Sequence, residues 1–148
     1  MKIARTEILI PAPPALVYAT LIDLEHWPDW NPSVRGIEGE PRPGARLRLR
    51  LAMGRGGGQE VRVVITRVSP DFGLEWRGGA PGMPWLLDVH HAFRIEEGPG
   101  GRTRFVHEER FSGLIVPLIW PFLRPRVMPR YHATNEGLRA QCAAKASS

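Results

Sequence analysis

The feature that most constrains the fold is an alternation of side chains between two faces in several separate segments. Every second residue of 45–53 is apolar, every second residue of 85–96 is apolar except His91, and in 102–112 the phenylalanines Phe105 and Phe111 fall on the same alternating set. This period is typical of a strand with one buried face, because successive side chains of a strand point to opposite sides. The sequence therefore predicts a sheet with one apolar face, and another element has to cover that face.

The rest of the chain supplies a strand, two short helices and one longer helix. Residues 2–10 predict a first strand, PAPPALVYATLIDL predicts a helix with prolines in its first turn, and WPDWNP predicts a second short helix or turn. Glycine-rich segments at 54–59 and 97–102 predict hairpin loops between strands. The further strands are expected near 33–38, 45–53, 59–69, 72–78, 85–96 and 102–112.

The covering element is expected at the carboxyl end of the chain. Pro117, Pro121, Pro125 and Pro129 recur at intervals of four in this region. Each proline inside a helix removes a hydrogen bond and clashes with the preceding turn. We therefore expect a broken segment from residue 114, followed by a helix that starts near Pro129.

Length and composition favour one domain over residues 1–148. The chain is long enough to bury a core, and no apolar run approaches the roughly 20 residues of a membrane span. The single cysteine, Cys142, excludes an internal disulfide and a cysteine-built metal site. Since the first residues lack a signal-peptide pattern, a cytoplasmic protein is expected. We predict no metal and no cofactor, and either a monomer or a homodimer.

The net charge of +5 does not indicate a nucleic-acid site. Of the 20 basic residues 18 are arginine, and they are scattered along the chain. The densest set, Arg46, Arg48 and Arg50, alternates with leucines, which is typical of the wet face of a strand. No aromatic side chains interleave with these arginines, as a stacking platform would require.

Polar residues on the expected inner face are the candidates for chemistry. His91, His107 and Glu109 alternate in phase with the phenylalanines of their strands, and Asn135 of the last helix is expected to face them. Buried ionisable groups must be paired or neutral. His107 and Glu109 are thus either an acid/base pair acting on a carbonyl compound or, as we favour, a hydrogen-bonded structural anchor.

Four segments resemble one known family. They are IPAPPALVYATLIDLEHWPDWNP (10–32), HHAFRI (90–95), TRFVHEERFSG (103–113) and NEGL (135–138). The chain resembles the START-like (SRPBCC) superfamily of helix-grip proteins, in particular the polyketide cyclase/dehydrase-type branch of small bacterial proteins. The resemblance implies an α+β fold with an antiparallel sheet of about seven strands around a long C-terminal helix, and two small helices between the first two strands.

The resemblance also implies an apolar ligand cavity between the sheet and the last helix. With the apolar strand faces, it predicts a lining of Trp27, Trp30, Leu49, Leu51, Trp76, Trp85, Val89, His91, Phe93, Phe105, His107, Phe111, Met128, Tyr131 and Asn135. No catalytic motif transfers from the family to this sequence.

Three functions remain open on the sequence alone. The first is binding or carriage of a lipophilic small molecule, without stable membrane insertion. The second is a cyclase or dehydratase that acts on a polyketide-like or other carbonyl substrate with His107 and Glu109 as acid and base. The third is an exposed apolar lip at LIVPLIWPFL (114–123) that touches a membrane or a partner.

Overall fold

One antiparallel sheet of seven strands and one long helix make up most of the protein. The computed structural model describes residues 1–53 and 56–148. The strands are β1 Lys2–Ile10, β2 Val34–Glu38, β3 Arg46–Met53, β4 Gly57–Ser69, β5 Gly73–Gly79, β6 Asp88–Glu97 and β7 Thr103–Ser112. The helices are α1 Pro14–Ile22, a 3₁₀ helix Leu24–Asp29, a 3₁₀ turn Pro99–Gly101 and α2 Val116–Ala146.

The strand order is β1-β7-β6-β5-β4-β3-β2, and every neighbouring pair is antiparallel. The two small helices lie between β1 and β2, and α2 follows the last strand. This arrangement confirms the predicted α+β helix-grip fold. Within the described residues, no helix is both long enough and apolar enough to cross a membrane.

Two expected strand boundaries are wrong. β6 begins at Asp88 and not at Trp85, because residues 84–86 form a turn that precedes the strand. β4 begins at Gly57 and not at residue 59, so the ladder with β3 extends into the expected glycine loop. Gly54 and Arg55 of that loop lie outside the described residues.

The expected helix start near Pro129 is also wrong, since α2 runs without a break from Val116 through three internal prolines. A proline deprives the carbonyl four residues earlier of its hydrogen bond. With a spacing of four, the carbonyls affected by Pro121, Pro125 and Pro129 belong to the preceding prolines. All four prolines of the series are exposed and lie along one side of the helix. The missing backbone hydrogen bonds therefore face solvent, where water can bond the carbonyls left without a partner in the helix.

The core is aromatic where the 3₁₀ helix meets the sheet. The Trp27 ring is 1% exposed, lies 4.8–5.5 Å from the rings of Trp30, Trp76 and Phe93, and donates its indole N–H to the Leu21 carbonyl at 2.8 Å. α2 presses on the same region, where Gly137 lies directly against the Trp30 carbonyl. This contact fixes the distance between α2 and the small helices.

Candidate functional site

A cavity of about 370 Å³ lies between the inner face of the sheet and α2. Strands β3 to β7 supply alternate side chains to it, and the 3₁₀ helix and α2 close the other sides. Most of the lining is apolar, and its ionisable side chains are concentrated where β6, β7 and α2 meet, whereas Asn31, Ser33 and Gln59 add uncharged polar groups elsewhere on the wall. The cavity therefore has a mainly apolar body and one ionisable corner, which we call the polar corner.

Eleven of the residues singled out from the sequence lie on the cavity wall. They are Trp27, Leu49, Leu51, Trp76, Val89, His91, Phe93, His107, Glu109, Phe111 and Tyr131. The alternation of β3, β5, β6 and β7 brings nine of them to one face of the sheet, because each strand contributes every second residue, and Trp27 of the 3₁₀ helix and Tyr131 of α2 face them from the other side.

The other five expected lining residues lie elsewhere. Trp30 packs behind Trp27, and Phe105 is fully buried beside Phe93. Asn135 is buried beneath the cavity, and Met128 packs against a separate apolar cluster. Trp85 is 60% exposed, because it belongs to the turn before β6 and not to the strand.

Several lining residues were missed from the sequence. They are Asn31, Ser33, Val34, Gln59, Val61, Val63, Gly78, Gly79, Leu87, Leu123, Val127, Arg130 and Thr134. The expected break in the helix concealed Leu123 and Val127, which lie on its first half. The alternation of β4 was a usable signal for Val61 and Val63, since both are in phase with the buried Ile65.

The ionisable groups of the polar corner are paired differently from the expected His107–Glu109 pair. Glu109 lies opposite His91 in the β6–β7 ladder, and its carboxylate is 3.2 Å from the His91 Nδ1. The Tyr131 hydroxyl of α2 donates a hydrogen bond to the other carboxylate oxygen. His91 and Glu109 have side chains that are 17% and 15% exposed, so the pair is largely buried at the cavity wall.

A second set of contacts continues from His91 into the core. The Nε2 atoms of His91 and His107 are 2.6 Å apart, and the His107 Nδ1 is 2.9 Å from the amide oxygen of Asn135. The Asn135 amide nitrogen donates to the Thr6 hydroxyl at 2.8 Å. β1, β6, β7 and α2 are thus joined by one chain of hydrogen bonds that ends at Tyr131.

The two histidines of this chain are each in contact at both ring nitrogens. The His107 Nδ1 faces the amide oxygen of Asn135, and the His91 Nδ1 faces the Glu109 carboxylate. The two Nε2 atoms face each other, so a hydrogen bond between them requires a proton on one of the two. Both ring nitrogens of His91 are therefore engaged within the protein.

Burial and neighbouring groups shift the pKa values of three side chains in this chain of contacts. Burial lowers the pKa of His107 well below its usual value, and the electrostatic interaction with His91 lowers it further. Burial alone raises the pKa of Glu109, but the interaction with His91 and the hydrogen bonds from His91 and Tyr131 outweigh it and lower the pKa. Burial next to that carboxylate raises the pKa of Tyr131, so its hydroxyl stays protonated.

A family model described as polyketide cyclase/dehydrase and lipid transport matches residues 1–143 of the chain. No curated protein matches the sequence significantly.

Solved structures with the same fold include two aromatase/cyclases and the protein Ara h 8.0201. The di-domain aromatase/cyclase StfQ of the steffimycin biosynthetic pathway superposes with a TM-score of 0.78 at 13% identity, covering 99% of this chain and 52% of StfQ. The chain thus spans about half the length of StfQ. The Zhui aromatase/cyclase from Streptomyces sp. R1128 gives a TM-score of 0.77 at 17% identity, covering 96% of this chain and 93% of Zhui.

The third structure is Ara h 8.0201, which superposes with a TM-score of 0.72 at 18% identity, covering 97% of this chain and 98% of Ara h 8.0201. At these identities the structures show a shared fold alone, whereas the family model extends over nearly the whole sequence. This chain belongs to the polyketide cyclase/dehydrase and lipid transport family.

Proposed function

We propose that the protein binds a mainly apolar small molecule that carries an oxygen function. The observation that supports this proposal best is the cavity itself, which is mainly apolar and has its ionisable groups in one corner. Its volume of about 370 Å³ is within the usual range of small-molecule sites. Burial of an apolar body supplies affinity, and the few polar groups select the orientation of the ligand.

The polar corner is suited to a ligand oxygen. The Arg130 guanidinium is a cation among the lining residues that can donate to a ligand oxygen, and the Tyr131 hydroxyl, whose proton goes to Glu109, can accept from a ligand hydroxyl. The Glu109 carboxylate balances part of this positive charge. A neutral carbonyl or hydroxyl group can exchange hydrogen bonds here without burying a new charge, which would be costly.

Filling the cavity from β4 is expected to weaken ligand binding. Val61 lines the cavity and is half-buried, so Val61→Trp places an indole inside it. We expect 2-naphthol, a two-ring molecule with one hydroxyl group, to bind the wild type. The Val61→Trp protein is expected to bind it at least about tenfold more weakly, because apolar contact area is lost. Isothermal titration calorimetry measures both constants.

The matched control for this variant is Val64→Trp on the opposite face of the same strand. Val64 is 40% exposed and points away from the cavity, so its replacement should leave the affinity for 2-naphthol unchanged. Equal affinity of the wild type and a folded Val61→Trp protein would show that the probe does not occupy the cavity.

The second candidate function is catalysis of the cyclase or dehydratase type. One observation favours it: the Glu109 carboxylate, the His91 imidazole and the Tyr131 phenol come together at the cavity wall, and the Arg130 guanidinium is among the lining residues. The Glu109 carboxylate can accept a proton from the carbon beside a bound carbonyl, while Arg130 stabilises the enolate oxygen. His91 and Tyr131 hold the carboxylate in place. His107 then acts through His91, since it is buried behind it. Both named aromatase/cyclases share this fold, which is a further reason to test the reaction.

Exchange of the methyl hydrogens of acetophenone for deuterium tests this candidate. We expect the wild type to accelerate the exchange in D₂O and Glu109→Gln to lower the rate by about 100-fold or more, since the base is lost. Glu108→Gln is the control, because Glu108 is the next residue of β7, points to the other face and pairs with Arg94. NMR integration of the methyl signal gives the rates. No acceleration by the wild type, or equal rates in the two variants, would reject Glu109 as a base.

A further inference from the structure

Large apolar residues are exposed at the end of the molecule where β7 leads into α2. Each of these residues is between 40% and 75% exposed. We call this cluster the apolar lip; it consists of Met83, Trp85, Leu114, Leu118 and Phe122.

The two segments that form the lip are held together by their backbones. The Leu114 amide bonds the Trp85 carbonyl at 3.0 Å, and the Ile115 amide bonds the Leu86 carbonyl at 3.2 Å. The lip is therefore built on two elements in register, not on an isolated loop. Its apolar side chains remain exposed although the backbone beneath them is hydrogen-bonded.

The first turns of α2 are apolar on every side. Leu114, Leu118 and Phe122 recur at intervals of four and form an exposed stripe. Val116 and Trp120 point the other way and pack against the cluster around Phe111. Residues 114–123 contain no polar side chain at all. A helix that only packs against a core is apolar on the face that it buries. The additional, exposed apolar stripe therefore indicates a surface that contacts another molecule.

The charged side chains within and directly after the second segment of the lip are arginines, and Asp88, which follows the first segment, is paired with Arg77. Arg124 and Arg126 follow it directly and are exposed. No aspartate or glutamate occurs in residues 113–135 or 79–87, which include both segments of the lip. The formal net charge of the whole chain is +5. An apolar tip with a tryptophan and adjacent arginines has the chemistry of an element that lies in the interface of a membrane with anionic lipids.

We propose that the apolar lip docks the protein reversibly on the surface of a membrane that contains anionic lipids. Leu118, Phe122 and Trp85 enter the boundary between headgroups and acyl chains, and Arg124 and Arg126 contact the headgroups. The segments of the lip also contribute Leu87, Leu123 and Val127 to the cavity wall. Docking therefore brings the cavity next to the lipid phase, although it does not depend on what the cavity holds.

Vesicle co-sedimentation of the full chain tests the proposal. We expect binding to vesicles of phosphatidylcholine with phosphatidylglycerol, weaker binding to phosphatidylcholine alone, and a decrease with added salt. Leu118→Gln/Phe122→Gln should weaken binding by about tenfold for each side chain, because both lose apolar contact with the membrane. Arg124→Gln/Arg126→Gln should reduce the preference for the anionic vesicles.

Val64→Gln is the control for the apolar substitutions, since Val64 is an exposed apolar residue on the outer face of β4. It should bind vesicles as the wild type does. The proposal is overturned if the wild type does not sediment with either vesicle, or if Leu118→Gln/Phe122→Gln binds as strongly as Val64→Gln. It is also overturned if size-exclusion chromatography shows a dimer that Leu118→Gln/Phe122→Gln separates, because a second copy would then cover the lip.

Discussion

Gly137→Ala is expected to destabilise the protein by about 2 kcal/mol or more, although it adds only one methyl group. A Cβ at residue 137 would overlap the backbone oxygen of Trp30. A backbone atom cannot turn aside as a flexible side chain can, so α2 and the 3₁₀ helix would have to move apart. That movement would loosen the aromatic packing around Trp27.

The sign of this effect separates tertiary packing from helix propensity. In an isolated helix, replacing glycine by alanine stabilises by about 1 kcal/mol. In the folded protein the overlap with Trp30 should outweigh this gain and lower the melting temperature by about 5 °C or more. Thermal and urea unfolding, followed by circular dichroism, measure the change.

Gly58→Ala is the matched control. A Cβ at Gly58 of β4 would make an ordinary contact with the Arg35 side chain, so little change in stability is expected. An unchanged or raised stability of Gly137→Ala would contradict the close approach of α2 to Trp30.

Asn135→Leu is expected to cost about 2–4 kcal/mol of stability. Asn135 accepts a hydrogen bond from His107 and donates one to Thr6, and all three side chains are buried. Leucine has a similar size but no polar atoms, so two buried groups lose their partner while the volume is kept. Urea unfolding at neutral pH gives the difference in free energy.

Two comparisons locate the cause of this loss in the hydrogen bonds. Glu136→Leu changes the next residue of α2, which is exposed, and should have little effect. His107→Phe/Asn135→Leu removes both partners of one hydrogen bond and should be less destabilised than the sum of the single variants. Strict additivity in this cycle would mean that the His107–Asn135 contact contributes no coupling energy.

The strands were predictable from local pattern to within a few residues. In β3 the period of two survives along nearly the whole strand, because one face is buried and the other is wet. In β6 and β7 it is interrupted, because Ala92 and Val106 are buried although they are out of phase with Phe93 and Phe105. The start of β6 was missed for a related reason. Trp85 and Leu87 continue the alternation, but Trp85 lies in a turn and is exposed. Alternation alone does not show where the ladder of hydrogen bonds begins.

The course of α2 could not be predicted from the propensity of its residues. Local chemistry argues against a helix through Pro121, Pro125 and Pro129, and the structure has one. The packing of Val116 and Trp120 against Phe111 holds the first half in place, and the defects fall on the wet side. Tertiary contacts here outweigh the low helix propensity of the three prolines.

The sequence by itself determined a sheet with a mainly apolar inner face and the presence of His91, His107 and Glu109 on that face. These properties follow from the period of side chains along a strand, which is local. The α+β helix-grip architecture was implied by the resemblance of four segments to a known family. Only the tertiary structure decided that Glu109 pairs with His91 and Tyr131, and that His107 turns to Asn135. Such pairs depend on the register between β6 and β7 and on the rotation and height of α2 above the sheet. Many distant contacts set these quantities together, so no single segment of the sequence encodes them.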